Sequence, residues 1–269
     1  MNRVDAAFRR LRREGRKAFM PFVSAGDPSL EATAAVLRTL QDRGAADLVE
    51  LGVPFSDPIA DGPTIQASYQ RALAAGVTPQ GVVDMVGRLR AGGLGLPICL
   101  MVSYSLVYKP GMEAFVERAA SAGIDGLIVP DLPVDESAPL AEVLASKDMA
   151  HILLVAPTTP PARRKTILAR ATGFVYCVSV TGITGQREAL PEGLEEYVRA
   201  VKKAAKVPVC VGFGLSRPEH VAAVAQLADG AIVGSAIVHC IADHAREPPE
   251  RIAQAVADLC RELSAPLGR

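Results

Sequence analysis

Eight short apolar runs recur along the chain, at 19–23, 48–51, 98–102, 126–129, 152–155, 174–179, 208–211 and 231–233. None has the strict polar–apolar alternation of a strand wetted on one side. Strands covered on both faces read this way, and such strands belong to parallel sheets. Helix-like segments fill the gaps. Ser29 is placed to N-cap a helix reaching about Asp42, with Gly44 as its stop. Further helices are expected at 65–75, 79–90, 112–122, 137–146, 161–169, 193–205, 218–227 and 249–263, several with proline near the start, as the first-turn preference of proline predicts. Eight strand–helix units in 269 residues point to an α/β fold, a single (β/α)8 barrel spanning 1–269. A further helix at 4–14 is expected to plug the barrel where the strands begin, and 265–269 to fray. A doubly wound open sheet is the alternative. The missing GxGxxG loop after the first run weakens it.

Composition excludes several functional classes. Lys and Arg number 29, Asp and Glu also 29, so no global charge draws the chain to nucleic acid or an acidic membrane. No apolar run approaches the roughly 18 residues of a membrane span. The segment 1–17 is charged and lacks the apolar core of a signal peptide, so a cytoplasmic protein is expected. The five cysteines (99, 177, 210, 240, 260) form no CxxC pair and read as free thiols. His239 and His244 are five apart, off the i,i+4 spacing of a helical metal pair, and no metal site is expected.

In such barrels chemistry sits where strands end and the following loops begin. The second strand carries Glu50 in an apolar run, where an ionised carboxylate costs several kcal/mol unless paired. The loop after it, rich in proline and glycine, delivers Asp61 at an Asp-Gly turn. Each acid has a plain structural reading: Glu50 pinning a loop through backbone N–H groups, Asp61 serving the turn. Asp57 and Asp131 read as loop geometry or a partner contact. The sixth, seventh and eighth strand ends hold Gly182, Gly185, Gly212, Gly214 and Gly234, where backbone N–H groups can approach an anion. Ser235 opens a short helix at 236–242, whose N-terminus favours phosphate. Two carboxylates beside a phosphate cradle suit proton transfer on a phosphorylated small molecule, and a raised pKa on Glu50 suits it as an acid–base group near neutrality. Tyr176, on the sixth strand, reads equally as core or as a hydroxyl at the barrel mouth. Phe22, Leu100, Leu127 and Phe213 read individually as core, and any of them at the mouth would line a pocket for a flat apolar group.

At these residues the chain resembles the tryptophan synthase alpha chain family. The segment Glu50-Leu-Gly-Val-Pro-Phe-Ser-Asp-Pro-Ile-Ala-Asp61-Gly-Pro-Thr-Ile-Gln66 is similar to that family's signature. The stretches 21–28, 130–133, 156–160, 178–185 and 212–216 match as well, so the likeness runs the full length. The resemblance implies a TIM barrel with a short phosphate-binding helix after strand eight. It implies cleavage of indole-3-glycerol phosphate to indole and glyceraldehyde 3-phosphate. Glu50 is then the proton-shuttling group, and Asp61 stabilises the indoleninium-like intermediate through its N–H. Tyr176 corresponds to the family tyrosine lining the site; Phe22, Leu100, Leu127 and Phe213 line the indole pocket; Gly185, Gly214, Gly234 and Ser235 hold the phosphate. The segment 181–190 is implied as a closing lid, with Thr184 reaching Asp61. The family further implies a beta chain partner in an alpha2beta2 tetramer, facing 53–62. Indole passes to that chain for L-tryptophan synthesis, and pyridoxal phosphate belongs there, with no cofactor in the alpha chain. One stretch departs: Ser105 stands where the family pattern leads us to expect Asn, in a region that braces the partner contact.

Three other readings stay open at this point. A sugar-phosphate isomerase or epimerase would use the same cradle with different acids. A subunit that only binds ligand and regulates a partner would not need both carboxylates. An autonomous indole-3-glycerol-phosphate lyase would need no beta chain.

Overall fold

The computed structural model describes residues 2–58, 61–178, 193–212 and 214–268. Eight strands, β1 (Ala18–Ser24), β2 (Val49–Gly52), β3 (Ile98–Met101), β4 (Gly126–Ile128), β5 (Ala150–Val155), β6 (Val175–Val178), β7 (Val209–Gly212) and β8 (Gly230–Val233), pair in sequence order and close into a parallel barrel. Around it run α1 (Arg3–Arg13), α2 (Leu30–Asp42), α3 (Pro63–Ala74), α4 (Pro79–Ala91), α5 (Tyr104–Tyr108), α6 (Met112–Ser121) and α7 (Ala138–Ser146). The ring continues with α8 (Pro161–Arg170), α9 (Leu194–Ala204), α10 (Pro218–Leu227), α11 (Ser235–Asp243) and α12 (Pro249–Ser264). This is the (β/α)8 barrel expected from the eight runs, with helices forming at all the expected places. The Ser29 side chain caps α2 by accepting from the Ala32 N–H at 3.1 Å.

Alternation along each strand sorts the apolar residues into two layers. One, including Val23, Leu51, Leu100, Leu127 and Val211, lies between the barrel and its helices. The other fills the interior with Met20, Phe22, Leu48, Cys99, Met101, Ile128, Ile152, Phe174, Tyr176 and Ile232. Helix α1 closes the end where strands begin, burying Val4, Ala7, Phe8 and Leu11 against this interior layer. Its Phe8 ring meets Phe174 at 5.8 Å between centroids.

The same end carries a device repeated four times. The residue shortly before each even strand exchanges two hydrogen bonds with the preceding odd strand. Asp47, Asp125, Thr172 and Asp229 donate their N–H to the carbonyls of Phe19, Ile98, His151 and Val209. Their side-chain oxygens accept the N–H of those same four residues, at 2.7–3.0 Å. Backbone groups at the strand starts, which would otherwise lack partners, are thereby satisfied. Asp125 is the most heavily engaged, since it also accepts from Arg3 at 2.9 Å and from the largely buried Arg90 at 2.8 Å.

One expectation is corrected here, and one element goes beyond those expected. The segment from 265 does not fray throughout: Ala265–Leu267 forms a 3-10 turn, and Leu267 is buried in the outer core because its apolar side chain has the α10–α12 side of the barrel to pack on. The third strand is followed by a short helix, α5, that apolar periodicity over five residues is too brief to announce. Asp131, read as a loop residue, holds the start of that helix by accepting from the Tyr104 N–H and the Ser103 hydroxyl.

Replacing Asp125 by Ala removes one clamp and strands a largely buried guanidinium. The expected cost is about 3–5 kcal/mol of unfolding free energy, read by urea denaturation, with the distant cleft chemistry retained in the fraction that stays folded.

Candidate active site

Strand register, not loop chance, puts Glu50 inside the barrel. In the β1–β2–β3 ladder it lies level with Phe22 and Cys99, both members of the interior layer. Its side chain is fully buried, with the Tyr176 hydroxyl as its polar neighbour. Burial pushes its pKa up to about 8, the neighbouring Asp61 charge adds to the rise, and the Tyr176 hydroxyl pulls the other way. Asp61 sits just before α3, its backbone tied by Asp61 N–H to the Pro58 carbonyl and by the Gln66 side chain to the Asp61 carbonyl at 2.8 Å. Burial raises it to about 6. Burial lifts Glu50 further than Asp61, so Glu50 holds its proton to higher pH and Asp61 ionises first. Two carboxyls whose surroundings push them apart make an acid beside a fixed negative charge.

Both acids open on one cavity. Phe22, Glu50, Asp61, Ile65, Met101, Tyr176, Gly214, Gly234 and Ser235 line it. The glycine cradle and the start of α11 thus face the acids across the mouth. Gly234 and Ser235 bring the first N–H groups of a nine-residue helix to the cavity, and Gly214 has φ +81°, a conformation that glycine adopts without strain. Tyr176 reaches over Gly212, where a Cβ would stand 2.5 Å from its hydroxyl oxygen. Strand β7 is bare there to let the phenol in.

The structure thus brings together Glu50, Asp61, Phe22, Tyr176, Gly214, Gly234 and Ser235. It does not bring Leu100 or Leu127 to the cavity. Both are fully buried in the outer layer, between the barrel and its helices. A shift of one position turns a strand residue to the opposite face, and the register instead turns Met101 and Ile128 inward, level with Gly52. Glu50 supplied the missing signal: once it is placed inside, β2–β3 pairing sends Cys99 and Met101 inside and Leu100 out. Ile65 and Met101 are lining residues that composition alone did not single out. Thr184, Gly185, Phe213 and the segment 181–190 lie outside the described residues.

Comparison with known proteins places this architecture in a family. The family model described as tryptophan synthase alpha chain matches residues 8–266. The tryptophan synthase alpha chain of Gloeobacter violaceus is 48% identical over 262 residues, 97% of this chain and 93% of that one. That of Prochlorococcus marinus is 46% identical over 261 residues, with 97% and 93% covered. Among solved structures, tryptophan synthase subunit alpha from Legionella pneumophila superposes with a TM-score of 0.87 at 33% identity, covering 100% of this chain and 99% of that one. The tryptophan synthase complex from Pyrococcus furiosus contains a chain with TM-score 0.84 at 35% identity, covering 93% and 99%. From matched length, identity and shared barrel alike, the chain belongs to the tryptophan synthase alpha chain family.

Proposed function

We propose that this chain, acting as one domain over 1–269, is the lyase subunit that cleaves indole-3-glycerol phosphate to indole and glyceraldehyde 3-phosphate. The observation that carries the reading is the shared cavity, with the fully buried Glu50 carboxyl beside Tyr176 on one side and the Gly214–Gly234–Ser235 cradle on the other.

Cleavage needs a proton on C3 of the indole and the loss of one from the glycerol hydroxyl on the carbon attached to C3. Glu50 gives its proton to C3, which turns the ring into an indoleninium cation. Asp61, ionised, accepts the ring N–H and offsets the positive charge that develops there. The C3–C bond then breaks, its electrons restore the indole, and the hydroxyl becomes the aldehyde carbonyl. The hydroxyl proton returns to the Glu50 carboxylate, so the protein ends as it began. Burial serves the step twice: it keeps the proton on Glu50 near neutrality and strengthens the Asp61–N–H attraction in a medium poorer in water. Phe22, Ile65 and Met101 supply the apolar walls for the ring, and Tyr176 sits beside Glu50 to orient it. The N–H groups at Gly214, Gly234 and Ser235 hold the phosphate.

By family membership the reading extends to a beta chain partner in an alpha2beta2 tetramer, to which indole passes and in which pyridoxal phosphate resides. Every proton transfer above is assigned to side chains of this chain. No helix among the described residues is long and apolar enough to cross a membrane, and with membership of a biosynthetic enzyme family this supports a cytoplasmic enzyme.

Glu50→Gln is expected to fold and to lower kcat by about a thousandfold or more, within the range that a positioned proton donor contributes. Indole release measured with and without a beta chain checks it, and near wild-type turnover would contradict the role. The profile of kcat/KM against pH is expected to rise through about 6 as Asp61 ionises and to fall beyond about 8 as Glu50 loses its proton. A Gly234→Asp substitution sets a carboxylate at the start of α11 and is expected to raise KM for the phosphorylated substrate at least about tenfold, by like-charge repulsion at a helix N-terminus.

A further inference from the structure

Outside the barrel, between the starts of α4 and α6 and beside α5, lies a cavity of about 540 Å³ that the chemistry above does not use. Small-molecule pockets commonly hold about 300–1,000 Å³ and are mostly apolar, with a few placed polar groups. This cavity has that make-up. Val83 of α4 and Phe115 of α6 form its floor, both part of the outer core layer, and Leu106 of α5 packs half-buried against the same layer. Two exposed cations stand at its rim: Lys109, just past α5, and Arg118, one turn along α6 from Ala114. Among the described residues no acid lines the cavity. The acids closest in sequence are engaged elsewhere or lie off the lining: Glu117 pairs with Lys147, Asp84 accepts from the Gln80 amide at 2.6 Å, and Glu113 is outside it.

The walls are held in place by contacts of the chain itself. At the start of α4 the Thr78 hydroxyl oxygen accepts the Gly81 N–H at 3.1 Å. At the start of α5 the Asp131 carboxylate accepts the Tyr104 N–H at 2.9 Å. Gly111, at φ +93°, turns the chain from α5 into α6 at the edge of the cavity, in a conformation that glycine adopts without strain. A preformed cavity spares a ligand the cost of ordering its own site.

We propose that this cavity is a second ligand site, and that it takes a small aromatic carboxylic acid, with the ring on Val83, Leu106 and Phe115 and the carboxylate between Lys109 and Arg118. Charge complementarity selects that class. A neutral apolar molecule would leave both cations unused, and a polyanion would press charge it cannot hydrate against apolar walls. A single carboxylate beside a flat ring satisfies both parts of the cavity. Its two oxygens match the guanidinium fork, which binds planar anions in a fixed orientation, and the ring suits the aromatic floor at Phe115. The inference is independent of the lyase reading, since none of these residues lines the cavity of Glu50 and Asp61.

The test is methyl NMR on the intact chain, titrated with 1-naphthoate and, in parallel, with the neutral 1-naphthamide. Naphthoate is expected to shift the Val83, Leu106 and Ala114 methyl signals saturably and to bind at least about tenfold tighter than naphthamide, the size of one hydrogen bond to a charged group. Lys109→Gln combined with Arg118→Gln changes only exposed side chains and is expected to remove that preference, leaving naphthamide binding within about twofold. Leu106→Trp, which fills the cavity, is expected to abolish both shifts. Equal affinity for the two probes, or naphthoate binding unchanged in the double variant, overturns the proposal. So does naphthoate that shifts only Ile65 and Met101, since it then occupies the cavity of the two acids. Val83 and Leu106 signals that respond to self-association or to an added beta chain, but not to naphthoate, assign the cavity to a protein partner and overturn it as well. Failure of the wild-type chain to release indole would overturn the lyase reading and leave this result standing.

Discussion

The site depends on one costly placement: a carboxyl group fully buried in the barrel interior, with a phenol hydroxyl, that of Tyr176, as its polar neighbour. Water would solvate that group, and a buried negative charge would cost several kcal/mol. The way out is a proton, and that is what burial enforces on Glu50. Strand register keeps the side chain from turning elsewhere, since the ladder from Phe22 through Glu50 to Cys99 allows only the inward face. On the adjoining strands β1 and β3 its interior-layer neighbours are Phe22, Cys99 and Met101, none of which carries a charge to pair with it.

Such a placement needs a rigid frame, and the frame is built at the other end. Four reciprocal clamps, at Asp47, Asp125, Thr172 and Asp229, fasten each even strand to the odd strand before it. Helix α1 seals that end with Phe8 and Leu11. Stability is thus concentrated where strands begin, which leaves their far ends free to carry groups that do not stabilise the fold. There the glycines serve close approach: Gly52 and Gly212 admit phenol hydroxyls, and Gly234 brings the start of α11 to the cavity.

Much of this was legible in the sequence. Apolar runs without alternation gave all eight strands, because parallel strands covered on both faces leave that pattern. Glu50 stood out because a carboxylate inside such a run is anomalous, and Gly214, Gly234 and Ser235 because small residues clustered at successive strand ends. The same lack of alternation hid which side each strand residue faces. Leu100 and Met101 are equally apolar, so nothing local to β3 says that Met101 looks inward and Leu100 outward; pairing with β2 says it. The clamps were hidden because Asp47, Asp125 and Asp229 look like ordinary loop acids until neighbouring strands are placed beside them. Leu267 and α5 were hidden for want of length, since a few residues cannot display a period.

The most direct test is a crystal structure of the Asp61→Asn variant, chosen to turn over too slowly to consume it, with indole-3-glycerol phosphate bound. The account requires the indole ring between residues 50 and 61, with C3 at about hydrogen-bond distance from the Glu50 carboxyl, and the phosphate on the N–H groups of Gly214, Gly234 and Ser235. A phosphate seated elsewhere, or a Glu50 side chain rotated out of the cavity and paired with another group, would contradict it.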